Sequence, residues 1–234
     1  MLLFFAPEIA SNFQLPESES QHCIRVLRKQ IGDEIDITDG KGHFFKAQIT
    51  EAHPKHCKVE ITKQIESFPF WKSRIEIALA PTKNMDRTEW FAEKATEIGI
   101  DKIHFLKTRY SERKEIKTDR IQKILVSAMK QSLKANLPEL TEIFDFKKFI
   151  TGNFEGQKFI AHCVSGEKTL LSQAYQKGEN ALILIGPEGD FSDEEIALAL
   201  ENGFQAISLG ESRLRTETAA LTACQTIHIV NQFK

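Results

Sequence analysis

Along the first 65 or so residues the apolar positions recur mostly at a period of two. Glu34–Thr38 alternates, Asp39-Gly-Lys-Gly42 reads as a turn, and Phe44–Ile49 and Cys57–Ile61 follow as strands. A short helix is predicted before them, from about Glu17 to Arg28, and the apolar start Met1–Pro7 reads as a buried first strand. Short strands at this spacing suggest a small β-barrel. Ser67-Phe-Pro-Phe-Trp71 reads as a joint, which gives a first domain over 1–68 and a second over 73–234.

From Arg74 the period switches back and forth between two and 3.6. Ile75–Leu79, Lys102–Lys107, Lys158–His162, Ala181–Ile185 and Gln205–Leu209 read as strands. Helices are predicted from Asp86 to Gly99, Thr118 to Lys134, Leu170 to Gln176, Ser192 to Glu201 and Thr216 to Val230. Asp86 with Glu89, and Ser192 with Glu195, have the spacing of capping boxes. Ala181-Leu-Ile-Leu-Ile185 is apolar throughout, as in a strand buried on both faces of a parallel sheet. The second domain is therefore α/β with a mainly parallel sheet.

Charge changes the picture more than composition does. The net charge of −2 argues against a nucleic-acid binder. Its distribution argues for one: Lys102 to Lys134 holds ten bases and three acids, a local +7. Arg120, Lys123, Lys130 and Lys134 fall on one face of the Thr118 helix, just downstream of Arg109 and Arg113, and suit phosphate contact. Arg25, Arg28 and Arg87 are further candidates. Trp90 and Phe91 read as core rather than as a base-stacking platform. No apolar run reaches membrane-spanning length, and the start lacks the basic flank of a signal peptide, so a cytoplasmic protein is expected. Cys23, Cys57, Cys163 and Cys224 are scattered, without Cys-x-x-Cys spacing, so buried free thiols are expected and no metal site.

Two turns carry candidate chemistry. Ile185-Gly-Pro-Glu-Gly189 lies between a buried strand and a helix, and Ser208-Leu-Gly-Glu-Ser212 does the same one strand later. Ligands of open α/β sheets bind at such carboxyl ends, where glycines let main-chain groups approach closely. Neither turn has the spacing of a dinucleotide fingerprint or a P-loop. Leu214-Arg-Thr-Glu217 opens the last helix. Glu217 suits a helix N-terminus, whereas Arg215 opposes that dipole and so points to a role with a phosphate or a substrate carbonyl.

These pieces together resemble the SPOUT methyltransferases and, among them, the RsmE family, which methylates N3 of a uridine in small-subunit (16S) ribosomal RNA. The resemblance runs through His22–Arg28, Thr96–Gly99, Ser111-Glu-Arg113, Gln131-Ser132 with Pro138, Leu184–Gly189, Leu209-Gly210 and Leu214–Thr218. It implies a PUA-like β-barrel in front, a SPOUT domain with a trefoil knot near its end, and a homodimer acting on the small ribosomal subunit. It implies that S-adenosylmethionine lies against Leu184, Ile185, Gly186, Pro187, Glu188, Gly189, Leu209, Gly210, Leu214, Arg215 and Thr216. Arg215 is then the oxyanion-type donor and Glu217 a candidate general base, or the holder of Arg215. Asp190 departs from the pattern, standing where a second glycine often follows Gly-Pro-Glu-Gly. Alternatives are another RNA site on the same fold, or an RNA-binding assembly protein without catalysis.

Overall fold

The computed structural model describes residues 2–233, which fall into two compact units. One unit runs up to Phe70 and takes in Val126–Leu137; the other is Trp71–Leu125 with the chain from Pro138 onward. The stretch Val126–Leu137, placed by sequence with the second domain, thus packs with the first.

The first unit is built on strands β1 (Leu3–Phe5), β2 (Glu34–Thr38), β3 (His43–Glu51) and β4 (Lys58–Glu66), side by side in that order. β1 and β2 run parallel, and the remaining pairs antiparallel. Helices α1 (Ile9–Asn12) and α2 (Glu17–Gln21) precede β2, and α2 continues as a wide π-type turn over His22–Val26. Phe4, Ile9, Leu15, Ile37, Phe45 and Ile49 form its core. The returning segment is tied in through its backbone: the Gly42 amide donates to Ala135 O at 3.0 Å and the Leu137 amide to Gly40 O at 2.9 Å.

The second unit holds β5 (Ile75–Leu79), α3 (Met85–Ile98), β6 (Lys102–Lys107), the first part of α4 (Thr118–Gln131), β7 (Glu139–Asp145), α5 (Phe146–Ile150) and β8 (Gln157–Ala161). It continues with β9 (Thr169–Leu170), α6 (Leu171–Ala174), β10 (Ala181–Ile185), α7 (Asp193–Glu201), β11 (Gln205–Ser208) and α8 (Thr216–Gln232). The seven strands form one sheet in the order β7-β6-β5-β10-β8-β11-β9, and all its pairings are parallel. β10 is central and buried at every position, as its unbroken apolar run requires.

Several local expectations are corrected. α3 is capped by Asn84, whose side chain accepts the Asp86 amide at 3.1 Å, not by an Asp86–Glu89 box; Glu89 instead pairs with Arg120 at 2.8 Å. The Ser192–Glu195 capping box is present. α4 ends at Gln131, short of Lys134, and the helix expected over 170–176 shrinks to Leu171–Ala174. Phe91 is core, but Trp90 is 43% exposed. Cys163 is exposed, whereas Cys23, Cys57 and Cys224 are buried. No helix among the described residues is long and apolar enough to cross a membrane.

Candidate cofactor cleft and its surroundings

β10 delivers its carboxyl end to the middle of the sheet, and the turn that follows is packed rather than loose. A Cβ on Gly186 would stand 3.1 Å from the Phe191 amide nitrogen and 3.2 Å from the Asp190 carbonyl carbon, so any larger residue would have to push that backbone back by a few tenths of an ångström. The Gly186 carbonyl accepts the buried Thr216 hydroxyl at 3.0 Å, which ties this turn to the start of α8. Glu188 Oε1 accepts the Lys83 amide at 3.0 Å, and Arg113 donates to the Thr82 and Lys83 carbonyls beside it.

Asp190 closes the turn in a left-handed conformation, φ +65°. Its Oδ2 accepts the Cys163 amide at 2.6 Å and its Oδ1 the Phe191 amide at 2.8 Å. The aspartate thus links the Gly-Pro-Glu-Gly turn to the loop that leaves β8. Lys168 steadies the same loop by donating to the carbonyls of His162 and Val164, both at 2.7 Å.

The second glycine turn leaves β11. The Ser208 hydroxyl accepts the Gly210 amide at 3.2 Å, and Gly210 adopts φ +118°, open to L residues only at a cost. Between this turn and the β8 loop lies a cleft of about 490 Å³. Its walls are Ala161–Cys163, Lys168, Ile207–Leu214 and Ala219. The size suits a nucleoside-sized ligand, and the lining sets small and aliphatic groups beside the polar side chains of His162, Lys168, Glu211 and Arg213.

The sequence-derived cofactor set divides around this cleft. Leu209, Gly210 and Leu214 line it. Leu184, Ile185, Gly186 and Pro187 are buried and do not line it, Glu188 and Gly189 are exposed on the turn, and Thr216 ties Gly186 to the start of α8. His162, Cys163 and Lys168 were missed by sequence, because the loop after β8 has no periodicity. Burial, reinforced by the Lys168 ammonium and opposed by Asp190, holds the His162 imidazole below its ordinary pKa. Its Nδ1 is buried without a hydrogen-bond partner among the described residues.

Two family models match this chain: an RNA methyltransferase domain over residues 70–228 and an RNA methyltransferase PUA domain over 15–62. The chain belongs to the RsmE family of RNA methyltransferases. Among its relatives, Ribosomal RNA small subunit methyltransferase E of Synechocystis sp. is 30% identical, with 97% of this chain and 76% of the relative covered. The protein of that name from Rickettsia conorii is 27% identical over 94% of this chain and 91% of its own. A crystal structure of a probable rRNA-methyltransferase from Porphyromonas gingivalis superposes with a TM-score of 0.94 at 45% identity, covering 99% of this chain and 98% of that one. The methyltransferase E of Neisseria gonorrhoeae, solved with S-adenosyl methionine bound, gives a TM-score of 0.86 at 26% identity, with 98% of each chain covered.

The family's activity makes the charged residues worth placing one by one. Arg215 occupies the N-cap position of α8, is exposed, and has no ion-pair partner among the described residues. Glu217 does not hold it: Glu217 is buried and faces Arg87, with Arg87 Nε 3.7 Å from Oε1, while its Oε2 has no hydrogen bond among the described residues. Arg109 pairs with Glu194 at 2.9 Å. Lys130 is engaged with Glu19 at 2.6 Å, with its side chain only 20% exposed, and Lys134 lies beyond the end of α4. Arg25 and Arg28 are exposed in the first unit, Arg28 at φ +55°. The basic stripe read along α4 is therefore partly consumed by internal ion pairs. Among the described residues no group of three or more His, Cys, Asp or Glu is placed to hold a metal ion.

Proposed function

We propose that this chain transfers the methyl group of S-adenosylmethionine to N3 of one uridine in small-subunit (16S) ribosomal RNA, in the cytoplasm and as a homodimer. The observation that carries the reading is the cleft of nucleoside size between the glycine turn after β11 and the loop after β8, the latter held by Asp190 at the end of the β10 turn. In this reading residues 73–234 form the catalytic domain, with the family's knot in its C-terminal part, and residues 1–68 help grip the RNA.

Bound S-adenosylmethionine supplies an electrophilic methyl group on a sulfonium. Leu209, Gly210 and Leu214 hold it in the cleft, and Leu184 to Gly189 with Thr216 fix the wall. The uracil N3 must give up its proton as it attacks. Arg215 stabilises the negative charge that then spreads onto the flanking carbonyl oxygens, and the N-terminus of α8 adds a field of the same sign. Glu217, with one oxygen unbonded, is the candidate acceptor of the proton. Alignment of the two reactants contributes much of the acceleration.

The test is to incubate the protein with labelled S-adenosylmethionine and small ribosomal subunits that lack the modification, then identify the product nucleoside by mass spectrometry. One 3-methyluridine is expected. Cofactor binding without transfer to any RNA would overturn the reading. Arg215→Ala should lower kcat by about 100- to 1000-fold while leaving the KM for cofactor near its original value.

A further inference from the structure

A second cleft opens near the Gly186–Gly189 turn. Gly189 packs against Tyr110, where a Cβ would stand 3.1 Å from the tyrosine Cβ. Beside Tyr110 opens a cleft of about 540 Å³ at the carboxyl ends of β6 and β7 and the start of α7. The turn thus touches a neighbour of each cleft: Asp190, which follows it, accepts the amide of Cys163 in the cofactor cleft, and Gly189 packs on Tyr110, next in sequence to Arg109 of this one.

The charges in the second cleft are unevenly satisfied. Its three acids are engaged. Asp145 accepts the Lys147 and Lys148 amides at 3.1 and 3.4 Å, Glu195 accepts the Arg109 and Ser192 amides at 2.8 and 2.9 Å, and Glu194 pairs with the Arg109 guanidinium. Three lysines in the same wall, Lys107, Lys114 and Lys147, are exposed. Their ammonium groups have no ion pair and no side-chain hydrogen bond among the described residues. The lining as a whole carries four bases and three acids, a net 4 − 3 = +1, and the three lysines are the charges in it left free to meet an anion.

We propose that this cleft seats a phosphodiester group of the RNA, next to the nucleotide presented at the cofactor cleft. The inference rests on the function proposed above and adds the place where the backbone is held. Lysine suits it: an ammonium is a point charge that grips phosphate without fixing sequence. The position at strand carboxyl ends is where this class of sheet receives ligands.

The test uses full-length protein and small ribosomal subunits, with affinity measured across a series of salt concentrations. A variant combining Lys107→Gln, Lys114→Gln and Lys147→Gln is compared with Lys148→Gln, the neighbour on α5 that lies outside the cleft. The triple variant should bind RNA roughly tenfold more weakly at fixed salt, with the slope of log affinity against log salt shallower by about two. Its affinity for S-adenosylmethionine, measured by calorimetry, should be unchanged. RNA affinity and slope equal to those of Lys148→Gln would overturn the assignment, as would a matching loss of cofactor affinity. Salt-dependent RNA binding that needs the three lysines, in a protein that methylates nothing, would keep the cleft and remove the catalytic reading.

Discussion

The two glycine turns at the ligand end of the sheet are held by opposite means. Gly186 is buried, and the space its side chain would need is filled by the backbone of Asp190 and Phe191. Gly210 is exposed, with nothing within 4 Å of where a Cβ would sit, and is glycine because of its φ of +118°. The first turn is a wall set by packing, and the second is a lip set by a dihedral angle. A wall transmits a change to the whole domain, whereas a lip keeps it local.

Three substitutions probe this difference. Gly186→Ala should act on the wall: its methyl group meets the Asp190 and Phe191 backbone, which must shift to admit it, at a cost of about 1–3 kcal/mol. For a chain of this size that is a fall in Tm of about 2–4 °C for each kcal/mol, visible in a thermal melt, with cofactor binding lost alongside. An unchanged melt would mean the wall is softer than its contacts indicate. Gly210→Ala should cost about 1 kcal/mol of left-handed strain. Because the lip can relax into solvent, the loss should appear as a roughly fivefold weaker cofactor Kd with little change in Tm. Equal effects of the two substitutions on Tm would erase the distinction.

Asp190→Gly should have the smallest effect and the most specific one. It relieves the strain of a non-glycine residue at φ +65° but removes the carboxylate that holds the Cys163 amide. Tm should hold or rise slightly. The KM for cofactor should rise roughly threefold with kcat unchanged, as expected when only binding is lost. Asp190→Asn, which tolerates the same φ but keeps only one of the two acceptor oxygens, should restore it in part. A fall in kcat at constant KM would show that Asp190 acts on the chemistry and not on the shape of the cleft.

Much of the scaffold was legible because its signals are local. An unbroken apolar run marked β10, and the spacing of Ser192 and Glu195 marked the start of α7. The two turns were visible as motifs because glycine there answers a backbone requirement. β7 and α5 were not, since β7 is an edge strand with no clean alternation and α5 is a single short turn. The start of α3 was misplaced because Asn84 and Asp86 are both good caps and only the fold selects between them. The loop carrying His162, Cys163 and Lys168 is held by a distant aspartate, which no window of sequence contains. Charge was the least reliable guide: Lys130 and Arg120 look free on a helical wheel, yet each has an acidic partner far along the chain.

Residues 126–137 belong to the first unit but are made more than fifty residues after it ends. During synthesis β1 to β4 leave the ribosome with the Gly42 amide and the Gly40 carbonyl still waiting for Ala135 and Leu137, and Glu19 waiting for Lys130. The first part of the chain therefore cannot complete its folding first. It is finished only once about a third of the second unit has been translated, so a ribosome that stalls before Leu137 carries two incomplete units instead of one complete one.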